Sequence, residues 1–594
     1  MAGESNGNDG IDTQQAGAAL HCDPSDAWCM RQTAWNPARS ALDESLFALA
    51  NGSLGVRGGL EETSSPTDNS FLAAVHERNP IDYHERFVGF ARTTDTRVPV
   101  PDGKRISIWL GHEKVDPDTA QWLDFERVLD LRTGILRRRL RLRTPSGATL
   151  QIESERLVSM TRDVLAIAFC VTSIDYTGPI TLSSSIQAAQ QCAPQGDDPR
   201  IGVSVSGGLA AVSSFAAEHE AILVQSTRRS GIEVACGQCH RLPRANLSFV
   251  GARSSDDHVE QQYVAVVEPG QQVALEKFVA YASTGHGYAL AQRVQYLLSE
   301  AAEGGFQKIA ATQQHELASF WRNACISIDG DPGAEFALRF NLFHLLQSTS
   351  RHPAHGTAAK GLTGEGYEGH CFWDTEVFVL PVMVFTAPDI AATMLRFRHA
   401  TLDAARANAR DMNHSRGALY PWRTIAGGEC SAHYPSGSAA YHINAAIAYA
   451  IGLYLDASGD LEFMVEAGAE MLFETARIWP QIGHFDPKRG GQFGIHGITG
   501  PDEYSALVDN NFYTNRMAQQ HLLRAAAVWK QLSQTHPGQL AALAARLKLD
   551  AAEVEGWVRA AEVMQLPYDE EHGIYAQDDA FLNNPRWDFA ANAT

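Results

Sequence analysis

No uninterrupted apolar run in this 594-residue chain approaches the ~18 residues that would cross a bilayer as a helix. The opening "MAGESNGNDGIDTQQ" lacks both the basic n-region and the apolar h-region of a secretory signal, so the chain reads as cytoplasmic. Positive charge is in short supply. Against 69 Asp and Glu stand 48 Lys and Arg, and a formal charge of −21 would repel nucleic acid and anionic membranes. The run "RRRLRLR" (Arg137 to Arg143) goes against that balance, but Leu140 and Leu142 alternate with Arg139, Arg141 and Arg143 as on a half-solvated strand. Cysteine offers no framework either: nine residues are scattered singly, apart from "CGQCH" at Cys236 to His240. That pentapeptide has the spacing of a c-type haem attachment. Its strand-like surroundings, and the want of a second Cys pair for zinc, point instead to a hairpin tip with incidental thiols.

What is present is the composition of a folded, multi-domain protein, with 44% hydrophobic and 20% charged residues over a length too great for one core. After a polar tail over residues 1–30, residues 31–285 read mainly as strands. "GILRRRLRLRTPSGATLQIESERLV" places two alternating runs around Pro145-Ser146-Gly147, and similar runs recur at "VLAIAFCVTSI" and "QYVAVVEP", which argues for a large antiparallel sandwich. The period changes at Gly287. Leu290, Val294, Leu297 and Leu298 fall at helical spacing in a linker over residues 286–330. From 331 to 594 helical segments dominate, starting with "EFALRFNLFHLLQSTS" and its stripe of Phe336, Phe340, Phe343 and Leu346. Long helices joined by Gly/Pro-rich polar loops suggest an all-α barrel whose loops carry the chemistry.

Three of those loops mix carboxylates with Trp, Tyr and His and are edged by glycine: Thr363 to Pro381, Gly417 to Gly437, and "HGITGPDEYSALVDNNFYTN" from His496 to Asn515. Aromatic rings offer a platform for the C–H face of a sugar, while Asp, Glu and Arg hydrogen-bond its hydroxyls. Glycosidic bond cleavage needs a proton donor for the leaving oxygen, and in "GPDEY" either Asp502 or Glu503 could be held over a pocket by the Gly500-Pro501 turn. A structural turn, or a partner for the positive end of the next helix, is the competing reading of the same carboxylates.

The stretches "ESLFALANGSLGVRGGLEE" (Glu44 to Glu62), "GEGYEGHCFWDTEVFVLP", "YPWRTIAGGECSAHYPSGSAAYHINA" and "GITGPDEYSALVDNNFYTN" together resemble glycoside hydrolase family 65, the inverting α-glucoside phosphorylases. The resemblance runs from about Trp35 to the C-terminus. It implies a β-sandwich followed by an (α/α)6 barrel, and it places the family's proton donor on Glu503. It also implies that Trp373 and Asp374 grip the transferred glucose, where the residues alone would favour a core aromatic at Trp373. Trp422, Arg423, Thr424 and Glu429 are then expected to line the acceptor side.

The sequence departs from the family in Gly428-Glu429, where relatives carry a Glu pair, and in Ala426, where Asn is common. By the resemblance the family continues beyond Thr594, with a Lys-Gln pair that holds glucose and a Ser-rich loop that binds phosphate, so the barrel is expected to be C-terminally incomplete. Phe336, Phe340 and Phe343 would then lack neighbours. The function implied is phosphorolysis of an α-linked glucose disaccharide, trehalose or kojibiose before maltose, to β-glucose 1-phosphate. Inorganic phosphate would serve as co-substrate, with no metal or organic cofactor, in a homodimer as in relatives. An inverting hydrolase on the same fold, or a sugar-binding remnant without turnover, are the alternatives.

Overall fold

The computed structural model describes residues 20–22, 26–65, 67–86, 88–188, 208–244, 246–283, 288–364, 366–432, 437–503 and 506–591. Most of the N-terminal polar tail, residues 433–436 of the second loop and Tyr504 of "GPDEY" lie outside them. The chain divides into two compact units, one within Met1–Val75, Pro99–Ala193 and Ser206–Gln347, the other within His76–Val98, Pro194–Val205 and Ser348–Thr594.

The first unit is built on a ten-stranded and a five-stranded antiparallel sheet. In the larger sheet Gln121–Asp130, Ile135–Arg143, Thr149–Val158 and Val164–Ser173 follow one another as a meander, and Gln272–Ala282 pairs next. The edge strand Leu20–Cys22 falls within the span read as a tail and pairs with Cys29–Gln32. The arginine run behaves as its alternation predicts: Arg137, Arg139, Arg141 and Arg143 are exposed, while Leu140 and Leu142 are buried. The remaining arginine of the strand, Arg138, is buried and paired.

That pairing explains the motif "GVRGGLEE". Arg138 donates to both oxygens of Glu62 at 2.8 and 2.7 Å and lies 2.9 Å from Glu61, and Arg156 reaches Glu61 at 3.2 Å and the carbonyl of Gly59 at 2.8 Å. Lys104 joins Asp68 at 3.2 Å and Asp102 at 2.9 Å in the same buried layer. Ions taken out of water are tolerated when every charge has a partner in good geometry. Glycine is required beside them, since a Cβ on Gly59 would sit 1.9 Å from the Asp68 carboxylate and one on Gly58 2.7 Å from Phe47. The motif therefore holds the first unit together.

"CGQCH" is not a hairpin tip. It lies inside the strand Glu233–Arg241, and both thiols are buried. Residues three apart on a strand point to opposite faces. Gly237 and Cys239 face the helix Tyr288–Ala324, where the Cys239 thiol meets the Leu298 carbonyl, while Gln238 and His240 bond the Ser184 backbone and side chain across the sandwich. Burial pushes the Cys236 thiol far above its ordinary range and Cys239 up to about 12, so both are inert.

The linker is a long helix, Tyr288–Ala324, kinked at Gly305, whose φ of 71° is left-handed. Its stripe of Leu290, Val294, Leu297 and Leu298 packs against Ile135, Val164, Ile222 and Phe278 as the spacing predicts. The next helix, Pro332–Ser348, also belongs to the first unit nearly to its end. Arg339 lies over the Trp28 ring at 4.1 Å, and Gln347 accepts from the Ala50 amide at 2.7 Å. The expectation that Phe336, Phe340 and Phe343 lack neighbours is corrected here. Phe343 is fully buried beside Gly134, Leu346 is buried, and Phe336 and Phe340 are half-buried, because the helix turns this face onto the sheet-rich unit.

The second unit is helical. Pro388–Ala400, Leu402–Asp411, His442–Ser458, Ala469–Ala476, Phe512–Thr535, Pro537–Leu547 and Ala551–Glu562 carry it, with the functional loops between them. The helical segment from Leu461 to Ala476 is interrupted by a π-helical turn at Met464–Gly468. The hairpin His76–Pro80/Thr93–Arg97 comes from the strand-rich half of the sequence, yet it belongs to this unit. No helix among the described residues is long and apolar enough to cross a membrane.

Candidate active site

Glu503 ends a tight turn. Its amide bonds the Gly500 carbonyl at 3.3 Å, and the loop is closed at its base by paired bonds between Ile498 and Val508 at 3.1 and 2.8 Å. Its φ of 63° is a left-handed conformation that costs a side-chain-bearing residue about 1–3 kcal/mol and persists only where the surroundings enforce it. The neighbouring Asp502 is taken by a hydrogen bond from the Gln577 side-chain amide. The amides that follow are structural: Asn511 caps the helix Phe512–Thr535 by accepting from the Thr514 amide, and Asn510 accepts from Ile495 and donates to Asp579. The geometry thus separates two adjacent carboxylates that their residue types alone left equivalent, and it does so in favour of the one to which the resemblance points.

Glu503 faces Trp422 and Asp374. Burial first, and then the negative charge of Asp374, push its carboxyl above the ordinary carboxylate range; the Trp422 hydrogen bond opposes them and Asp502 adds a smaller push. Glu503 is exposed, so water screens part of the effect. A bound sugar that displaced that water would enlarge it.

Asp374 opens the π-helical turn Thr375–Val379 and is exposed. Its turn is fixed from below by Glu376, which accepts from Arg398 Nε and Nη2 at 2.8 Å each, a buried bidentate pair. Arg398 also donates to the Phe372 carbonyl at 3.4 Å, one residue before Trp373. Trp373 is half-buried, with His442 edge-on at 4.8 Å and Tyr513 at 6.0 Å. Burial drives His442 down to about 4, so it stays neutral beside the ring.

The loop with Trp422 is tied by its own residues. Glu429 accepts from the amides of Trp422 at 2.7 Å and Ser431 at 2.9 Å, which makes it a clip for the turn. Thr424 is fully buried, exchanges backbone bonds with Cys371 and accepts from the Gly427 amide at 2.7 Å. Both residues therefore shape the loop, with their side chains committed to it. Arg423 donates to Glu368 at 2.6 Å, and Trp422 meets Phe372 at 5.5 Å.

The structure thus brings Glu503, Asp374, Trp373, Trp422 and Arg423 to one face of the second unit and turns Thr424 and Glu429 inward. Sequence reasoning missed Glu368, His370 and Arg398. The first two stand within quoted motif text, but nothing in their spacing distinguishes them from solvated loop residues.

The ring-lined carboxylate pair, with one acid held toward its protonated form, defines a glycosidic-bond enzyme on a sheet-plus-helix scaffold. The chain belongs to glycoside hydrolase family 65. Residues 30–320 match the glycosyl hydrolase family 65 N-terminal domain and residues 339–594 its central catalytic domain. It is 38% identical over 573 residues to the alpha,alpha-trehalose phosphorylase of Thermoanaerobacter brockii, spanning 95% of this chain and 74% of that one. It is 30% identical over 584 residues to the kojibiose phosphorylase of the same organism, spanning 94% and 73%. A solved structure of a putative kojibiose phosphorylase from the human microbiome shares the fold, with a TM-score of 0.85 at 23% identity, over 96% of this chain and 74% of that one.

Proposed function

We propose that this chain acts in inverting phosphorolysis of an α-linked glucose disaccharide, trehalose or kojibiose before maltose, giving β-glucose 1-phosphate and a free sugar. The observation that carries the reading is Glu503: a carboxyl pushed toward its protonated form, facing Trp422 and Asp374, the residue that follows Trp373 in the chain. Glu503 donates its proton to the glycosidic oxygen as the bond from C1 to that oxygen breaks. A phosphate oxygen attacks C1 from the opposite face, the new C1–O bond inverts the anomeric centre, and the carboxylate left behind regains a proton from solvent. Trp373 supplies the platform for the glucose ring, and Asp374 accepts from its hydroxyls. No metal or organic cofactor enters this scheme, because phosphate is both nucleophile and substrate. The similarity to trehalose and kojibiose phosphorylases supports this choice of linkages.

The test is incubation of the purified full-length protein, including the C-terminal segment that its relatives carry, with trehalose, kojibiose, nigerose or maltose, with and without phosphate. The expected result is β-glucose 1-phosphate from one of the first two, only when phosphate is present. Glucose released at equal rates without phosphate, or no turnover of any α-glucoside, would overturn the reading.

A further inference from the structure

The hairpin His76–Arg97 lies, by sequence, within the span matched to the N-terminal domain, yet it is part of the helical unit. Its contacts there fall on the loops that carry the candidate site. Arg97 donates to the carbonyls of Gly361 at 2.7 Å and Gly364 at 2.6 Å, and it packs where a Cβ on Gly369 would lie, 2.6 Å away. The Asp95 carbonyl accepts from His370 Nε2 at 2.5 Å, and its amide meets the Cys430 thiol at 3.4 Å. Burial, and then the charge of Arg423, hold His370 down at about 3, so the ring is neutral and Nε2 carries the donated proton.

These bonds clamp a strained turn. Tyr367, Glu368 and Gly369 all have left-handed φ values, 53°, 56° and 77°, and Glu368 is the residue that orients Arg423. Two consecutive side-chain-bearing residues in that region cost about 1–3 kcal/mol each and need an external brace. Arg97 and His370 are that brace.

The other end of the hairpin meets the Trp422 loop. The Gly89 carbonyl accepts from Ser438 Oγ at 2.8 Å, and the adjoining Gly437 packs so close to the Trp422 ring that a Cβ there would sit 3.0 Å from it. At the tip Tyr83 packs on Phe90, with centroids 4.9 Å apart, and is half-buried. The charge of Glu429, the clip of the Trp422 loop, reaches the Tyr83 hydroxyl. An amphipathic ring thus stands near the loop whose tryptophan bonds Glu503, the acid that protonates the leaving oxygen.

We propose that the hairpin is one wall of the subsite for the leaving sugar, with Tyr83 contacting that sugar and Arg97 acting as a positioning residue that holds the Glu368 turn and, through it, Arg423. The inference rests on the phosphorolysis reading above and adds a specificity element to it. A loop from outside the helical catalytic stretch then sets which free sugar departs, while Trp373 and Asp374 grip the glucose common to all α-glucosides.

The test measures binding to the full chain by tryptophan fluorescence and calorimetry, with two probes. One is the α-glucoside that the wild type binds, trehalose or kojibiose, which fills both subsites; the other is 1-deoxynojirimycin, a cationic mimic of the glucose unit alone. In Tyr83→Ala and Arg97→Gln the disaccharide Kd is expected to rise about tenfold or more, as for truncation of a contact aromatic or its support, with the 1-deoxynojirimycin Kd within about twofold of wild type. If Arg97→Gln does not fold, Tyr83→Ala decides alone, since its side chain sits on a loop tip outside the core. Disaccharide binding unchanged in Tyr83→Ala, or equal weakening of both probes, overturns the inference and leaves the phosphorolysis reading standing. A wild-type chain that binds neither probe overturns both.

Discussion

Replacing Arg398 by Leu should destabilise the second unit more than any surface change. Arg398 is fully buried and makes two charge-assisted bonds of 2.8 Å to Glu376, itself buried, plus a bond to the Phe372 carbonyl. Arg398→Leu strands the Glu376 carboxylate without its cation, and breaking a buried pair by removing one partner costs about 3–5 kcal/mol. In a unit of this size each kcal/mol moves the melting temperature by roughly 2–4 °C, so a fall of about 6–20 °C is expected. The double variant Glu376→Leu/Arg398→Leu should recover most of that loss, because two apolar side chains in contact leave no buried charge. Differential scanning calorimetry of wild type, both single variants and the double closes the cycle. Sugar binding should weaken in Arg398→Leu even below its melting point, as the Phe372 carbonyl loses its donor and the Trp373-Asp374 turn loosens. A loss of under about 1 kcal/mol in both single variants, or a double variant no more stable than either, would refute the assignment of this pair as the support of the turn.

Two further outcomes concern the acid. Glu503→Gln should abolish phosphorolysis while 1-deoxynojirimycin still binds, since only the transferable proton is lost; activity above a few per cent of wild type would move the donor elsewhere. The pH dependence follows from the direction of the Glu503 shift. An acid must be protonated to act, so activity is present below its folded pKa and lost as pH rises through it, and the raised pKa extends the active range upward. Asp374→Asn removes one of the charges that raise it, so the alkaline limb of kcat/KM should move to lower pH; a limb that stays put or moves up would show that Asp374 does not act on Glu503.

What the sequence determined by itself is what short-range periodicity and local chemistry dictate. The alternation in Ile135–Arg143 marked its exposed and buried faces, because strand side chains alternate whatever the neighbours are. The helical stripe of Leu290, Val294, Leu297 and Leu298, the carboxylate-aromatic loops and the resemblance at "GPDEY" were legible for the same local reason. Tertiary structure decided everything that depends on which distant segment supplies a partner. "CGQCH" became the middle of a buried strand because helix and sheet close over both its faces, which no spacing records. Glu61 and Glu62 became fold-holding ions because Arg138 and Arg156 arrive from other strands, and Thr424 and Glu429 turned inward because their own loop needed acceptors for its amides. Asp502 and Glu503 are adjacent and chemically alike; Gln577 takes the first, and the second faces Asp374 and Trp422. The placement of the hairpin His76–Arg97 among the catalytic loops rests on hydrogen bonds to carbonyls and a thiol far along the chain. Backbone acceptors are the same at every residue, so only the folded chain shows which of them Arg97 reaches.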